Sequence, residues 1–178
     1  GRVLYYEWDS NSGQFLSPPT RYIQASGQAN ELLGFEVEVG NFNGDKDPNT
    51  SSGNPCQDIA ASAPLWDTGS GDQDAGRVLV FAGSSSVIPL GTADLVIEGE
   101  QASSRHGIGI TFANLNNDFN ASSGAPIDDL VIGADSYDSS SGGTDAGRFV
   151  VFYGDATFPS SPLSVSSRDY ERLGFQSG

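Results

Sequence analysis

Two short stretches carry the side chains best suited to chemistry. In GNFNGDKDPN (40–49), Asn41, Asn43 and Asp45 stand at every second position, and Asp47 and Asn49 follow. In ANLNNDFN (113–120), Asn114, Asn116 and Asp118 repeat the spacing. Alternating short side chains that end in oxygen have two uses. They close turns by accepting hydrogen bonds from nearby backbone N–H groups, and they surround a hard cation such as Ca²⁺, which takes six to eight oxygen ligands. The residues by themselves leave both uses open.

Other chemistry is thin. His106 is the single histidine and Cys56 the single cysteine, so an intrachain disulfide is excluded, leaving a free thiol or an interchain bridge. No G-x-S-x-G, P-loop or CxxC occurs, and the many aspartates fall in turns and in the repeated loop, so the sequence offers no reaction. The 178 residues hold 8 basic and 23 acidic side chains, a net charge of −15. Such a field repels nucleic acid and anionic membranes and favours cations or basic partners. No apolar run approaches the length of a membrane span.

The elements that would position these loops recur. GRVLYY (1–6) returns as GRVLVF (76–81) and GRFVVF (147–152), offsets of 75 and 71 residues. LGFEVEV (33–39) is echoed by HGIGITF (106–112) and LGFQSG (173–178), and QDIAASAP (57–64) by DDLVIGAD (128–135). Each period of about 70 residues holds four short runs rich in Val, Ile and Phe, bounded by Gly, Asn, Asp, Ser and Pro, the mark of strands. They fall at 35–42, 58–64, 77–83 and 93–99, then at 108–115, 129–135, 148–154 and 162–167. VLYYEW and RYIQAS supply the last two strands of a preceding unit, 1–32, and LGFQSG opens a following one, 173–178. The complete units are 33–103 and 104–172. A tandem four-stranded antiparallel sheet that cannot bury both faces alone is a propeller blade. The expectation is therefore all-β: tandem blades of a partial β-propeller, about two and a half of them, cut from a longer chain.

The landmarks resemble the FG-GAP repeats of integrin α-subunit-type β-propellers. LGF, GNFNGD, QDIAASAP and AGRVLVF fill that repeat's slots in order, and HGI, ANLNND, DDLVIGAD and AGRFVVF fill them again. The resemblance implies a calcium loop closed by the carboxylate of the second strand. Asn41, Asn43, Asp45 and Asp58 would serve one Ca²⁺, and Asn114, Asn116, Asp118 and Asp129 another. Asn replaces the usual first Asp, Lys46 and Phe119 replace the usual Gly, and both loops are lengthened, so weak structural binding is expected. The resemblance also puts ligand contacts on the opposite face. There Trp66 and Asp67 in PLWDT, and Tyr137 and Asp138 in DSYDS, are candidates for a partner-binding patch; the plainer alternative is that each aromatic folds over a neighbouring blade.

The same resemblance implies an extracellular or cell-surface recognition or adhesion module without catalysis. Its partners would be other blades of the parent chain or neighbouring subunits, and a protein or glycan ligand, without nucleic acid or membrane insertion. A structural segment of a larger surface or filament protein, or a propeller joined to a secreted hydrolase, would share these features. Arg2, Arg77 and Arg148, each after a Gly, are expected to pair with acids of neighbouring blades. His106 is expected to be structural, and Cys56 an incidental thiol. The sequons at Asn49 and Asn120 lie inside the lengthened loops.

Overall fold

A computed structural model describes residues 1–24, 28–47, 53–83, 92–159 and 161–174. The fold is all-β, with one 3₁₀ turn, Val165–Ser167, and no α-helix among the described residues. Its strands are β1 (Arg2–Tyr5), β2 (Trp8–Asp9), β3 (Gln14–Phe15), β4 (Arg21–Gln24), β5 (Val37–Gly40), β6 (Asp58–Ala63), β7 (Arg77–Phe81), β8 (Leu95–Glu98), β9 (Gly109–Ala113), β10 (Asp129–Ala134), β11 (Arg148–Phe152), β12 (Leu163–Ser164) and β13 (Tyr170–Leu173). No helix among the described residues is long and apolar enough to cross a membrane.

Strands β5, β6, β7 and β8 form one antiparallel sheet in chain order, and β9, β10, β11 and β13 form a second. β1 pairs with β4, and β2 with β3, as separate antiparallel ribbons. Seven of the eight strands expected in the two complete units fall where the sequence places them. The eighth does not. Leu163–Ser164, from the expected run 162–167, adds in parallel to the edge of the first sheet beside β8. The fourth strand of the second sheet is Tyr170–Leu173, which pairs with β11.

Two anchors explain the shift. Asp94, just before β8, accepts the Ala82 N–H at 2.8 Å, and Asp169, just before β13, accepts the Tyr153 N–H at 2.7 Å. Beyond the strands, Gly99 donates to the Gly76 carbonyl and Gly174 to the Gly147 carbonyl, both at 2.8 Å. Gly174 therefore matches Gly99, and Leu173, taken from sequence as the opening of a new unit, closes the second sheet. The rest of that echo, residues 175–178, lies outside the described residues, as do Ala25 and Ser26 of RYIQAS.

Successive side chains face opposite sides of each sheet, and in β6 and β7 both sides are buried. One face of the first sheet, with Ile59, Ala61, Ala63, Leu79 and Phe81, packs on Val3, Tyr5 and Ile23 of the β1–β4 ribbon. Its other face, with Ala60, Val78, Val80, Leu95 and Ile97, packs on Ile110, Leu130, Ile132, Val150 and Phe152 of the second sheet. Leu130, Ile132, Val150 and Phe152 are the counterparts of Ile59, Ala61, Leu79 and Phe81 in the repeat. The second sheet thus offers the first the same face that the first offers the ribbon. Packing is head to tail, used twice.

Candidate metal centre

β6 and β10 each begin at a buried aspartate and end toward an aromatic loop, so two kinds of site lie at opposite ends of these strands. At the first end, Asp58 is fully buried, its Oδ2 accepting from the Phe42 N–H and its Oδ1 from the Gly83 N–H, both at 2.8 Å. Asp129, equally buried, accepts from Leu115 at 2.7 Å and Gly154 at 3.1 Å. Each carboxylate clips the start of a candidate loop to the end of the third strand.

The loops are congruent. The Asp45 N–H donates to Asn41 Oδ1 at 3.1 Å and Asn43 Oδ1 at 3.2 Å; the Asp118 N–H donates to Asn114 Oδ1 and Asn116 Oδ1, both at 3.1 Å. Asn41 Nδ2 returns a bond to the Asp45 carbonyl, and Asn114 Nδ2 one to the Asp118 carbonyl. Gly44 (φ 64°) and Asn117 (φ 59°) supply a left-handed turn one residue before the aspartate. The tight turn that a glycine after the third ligand would have given is therefore present, displaced toward the N-terminus. All eight predicted ligand residues are brought together in two sets of four.

The decisive atoms are Asp45 Oδ1 and Asp118 Oδ1. Both are buried and lack a hydrogen-bond partner. An orphaned carboxylate oxygen out of water is costly unless a cation or proton meets it. Burial, and then the charge of Asp45, pushes the Asp58 carboxyl up to about 7, and burial raises Asp129 and Asp45 as well. Without a cation, folding takes up protons between the ordinary carboxylate range and about pH 7, so that deprotonation weakens the fold as pH rises through this window. Two carboxylates and two amide oxygens suit Ca²⁺ in charge and hardness. Among the described residues no three His, Cys, Asp or Glu are placed to hold a metal, and this donor set relies on its asparagines.

Cys56 and Ile127 occupy matching places, their N–H groups donating to the Asp45 and Asp118 carbonyls at 3.2 and 3.3 Å. Burial, with the charges of Asp45, Asp47 and Asp58, pushes the Cys56 thiol up to about 11, so at neutral pH it is a protonated thiol. Asp128 is a residue the sequence reading missed. Its Oδ2 accepts from the Asn41 N–H and its own N–H donates to the Asn41 carbonyl, both at 2.8 Å. Asn120 Nδ2 donates to the Asn43 carbonyl at 3.0 Å, so the two loops are physically joined. That amide nitrogen, the atom a glycan would join, is already engaged; the sequon at Asn49 lies outside the described residues.

At the other end, each aromatic stacks under an arginine. The Arg77 guanidinium lies 3.5 Å from the Trp66 ring centre, and that of Arg148 lies 3.7 Å from the Tyr137 centre. Arg77 pairs with Glu31, and Arg148 with Glu100 and Glu171, acids that include the connections leading into each sheet. Asp67 Oδ1 accepts from Asp74, and Asp138 Oδ1 from Asp145, where both donors have left-handed backbones. A further pair escaped the sequence reading. Gln28 exchanges two hydrogen bonds with the backbone of Asp67, at 2.7 and 2.8 Å, and Gln101 does the same with Asp138, at 3.2 and 2.7 Å. Both Gln residues precede the left-handed turn into the first strand, but nothing in the sequence pairs them with loops 39 and 37 residues away. The four candidate partner-binding residues are thus built into a braced loop, half-buried at Trp66, Asp67 and Tyr137 and exposed at Asp138. Gln101→Ala removes both bonds of one clasp and is expected to cost about 1–2 kcal/mol in urea unfolding.

No protein-family model matches the chain, and none of the curated proteins matches it.

Proposed function

We propose that this chain is a non-catalytic, extracellular recognition or adhesion module built from FG-GAP blades of the integrin-α-like propeller type, with Ca²⁺ fastening its loops. The observation that carries the cation is the pair of buried, unpartnered oxygens, Asp45 Oδ1 and Asp118 Oδ1, repeated in congruent loops. Asn41, Asn43, Asp45 and Asp58 hold the first ion, and Asn114, Asn116, Asp118 and Asp129 the second. When bound, Ca²⁺ supplies the positive charge that these unpartnered oxygens lack. The protein's own part is to hold those oxygens out of water on two strand ends clipped by Asp58 and Asp129.

The blade assignment is supported by the head-to-tail packing of successive sheets, since a face that always meets the opposite face of its neighbour propagates around an axis. The recognition role is supported by the braced loops at the far end, where Trp66, Asp67, Tyr137 and Asp138 stand on a rigid base for a protein or glycan ligand. Isothermal titration of the chelator-stripped chain with Ca²⁺ is expected to give two sites. Asp45→Asn should remove one and Asp118→Asn the other. Absence of saturable heat up to millimolar Ca²⁺ would discard the cation role.

A further inference from the structure

The head-to-tail contact turns on one short segment. Before β5, Leu32 (φ 57°) and Gly34 (φ 84°) flank Leu33; before β9, Arg105 (φ 55°) and Gly107 (φ 92°) flank His106. Leu33 and His106 are 3% and 0% exposed. Each segment sits on the turn and first residues of the preceding third strand, Leu33–Gly34 on Gly1–Val3 and His106–Gly107 on Gly76–Val78. The approach is too close for side chains. A Cβ at Gly1 would lie 1.9 Å from the Leu33 carbonyl oxygen, and one at Gly76 would lie 2.2 Å from that of His106. From the other side, a Cβ at Gly34 would meet Val3 at 3.2 Å, and one at Gly107 would meet Val78 at 3.1 Å.

The repeat has a third such place, Gly147–Phe149, and among the described residues no segment fills that seat. It forms a cavity of about 470 Å³ against Gly109, Gly133, Phe149, Arg172 and Gly174. Gly109 and Gly133 stand where the first sheet has Glu36 and Ser62, which hollows the floor. Phe149 is 40% exposed and Tyr170 47%, whereas their counterparts on the covered sheet, Val78 and Leu95, are fully buried.

We propose that this cavity is the docking seat for the opening segment of a further repeat of the same kind. The incoming segment carries a left-handed residue, a buried residue that is Leu in one filled seat and His in the other, a glycine with positive φ, and then Phe or Ile. Continuity with the two filled seats is the argument, since the same backbone turn, arginine and strand form all three. A second copy of this chain is the poorer occupant, because both of its opening segments are already seated on its own strands. The inference depends on the repeat packing and not on calcium, so its test is run in EDTA.

The probe is a synthetic peptide of residues 28–40, QANELLGFEVEVG, titrated into the ¹⁵N-labelled chain. Saturable shifts centred on the amides of Gly133, Gly147, Phe149 and Gly174 are expected. Gly109→Leu fills the cavity without an in-chain clash, since nothing lies within 4 Å of a Cβ at that position. It should weaken binding at least tenfold while its melting temperature stays within a few degrees of the parent's, and Gly34→Val in the peptide should weaken it equally. No saturable shift up to millimolar peptide, or unchanged binding by Gly109→Leu, overturns the proposal. Concentration-dependent shifts at the same amides without peptide would give the seat to a second copy, and also overturn it.

Discussion

Glu31→Ala is expected to lower the free energy of unfolding by about 3–5 kcal/mol, enough to unfold a marginal domain. The Glu31 side chain is fully buried and that of Arg77 is 11% exposed, with 3.0 Å between the paired atoms. Arg77 sits in the first sheet and Glu31 in the connection that enters it, so the pair closes the route of the chain between units. Truncating the acid leaves a guanidinium in a site whose burial already lowers its pKa, with the Trp66 face and the charge of Glu98 as remaining support. The cost is that of stranding a charge, which is larger than the net worth of the pair. Glu31→Ala combined with Arg77→Leu should therefore recover much of the loss. Urea unfolding of the two single variants and the double variant measures this; a double variant as unstable as the sum of the singles would contradict it.

His106→Leu is expected to act in the opposite direction. His106 is fully buried, and neither ring nitrogen has a partner. Its counterpart in the first unit is Leu33, buried in the same pose. Burial, and then the charge of Arg148, pushes the imidazole down to about 3 from its ordinary value of 6.5. A histidine held neutral contributes no penalty above pH 6.5, but the unfolded chain binds a proton as pH falls from there toward 3, and stability is lost across that window. The leucine variant removes both the unpartnered nitrogens and this proton linkage. It should be more stable by about 1–3 kcal/mol at neutral pH. Its advantage should widen as pH falls from 6.5 toward 4. Parallel melting curves of the two proteins at several pH values read the difference directly, with the carboxylates common to both cancelling.

What was legible in the sequence was whatever the repeat wrote twice. The strands at Asp58 and Asp129, the arginines after glycine and the alternating Asn and Asp all recur, so a single pattern fixed several elements at once. The fourth strand of the second unit was misplaced because Leu163 and Val165 alternate as strand residues do, yet Val165 opens a 3₁₀ turn, while in Tyr170–Leu173 the half-buried side carries Glu171 beside Leu173 and so lacks an apolar stripe. The Asp169 anchor, matching Asp94, was the better guide. The LGF echo at 173–175 misled for a related reason: a glycine ends the fourth strand as well as opening the first, and the dipeptide does not tell them apart. At the candidate sites, the alternating Asn and Asp that fold into two congruent loops were readable, but the clasp of Gln28 and Gln101 was not. It joins residues 39 and 37 apart in sequence, a pairing only the packed sheets create. The same holds for Asp128, which braces a loop 87 residues away.

Thermal unfolding tests most directly the proposal that Asp45 and Asp118 take a cation. The chelator-stripped chain should melt at a temperature that climbs with Ca²⁺ and not with equal Mg²⁺. Each filled site adds about 2.7 kcal/mol once free Ca²⁺ reaches roughly a hundred times its Kd. The Asp45→Asn, Asp118→Asn double variant should show no climb. A melting temperature that stays flat across the Ca²⁺ titration in the unaltered chain would contradict the account and leave both loops as ordinary turns.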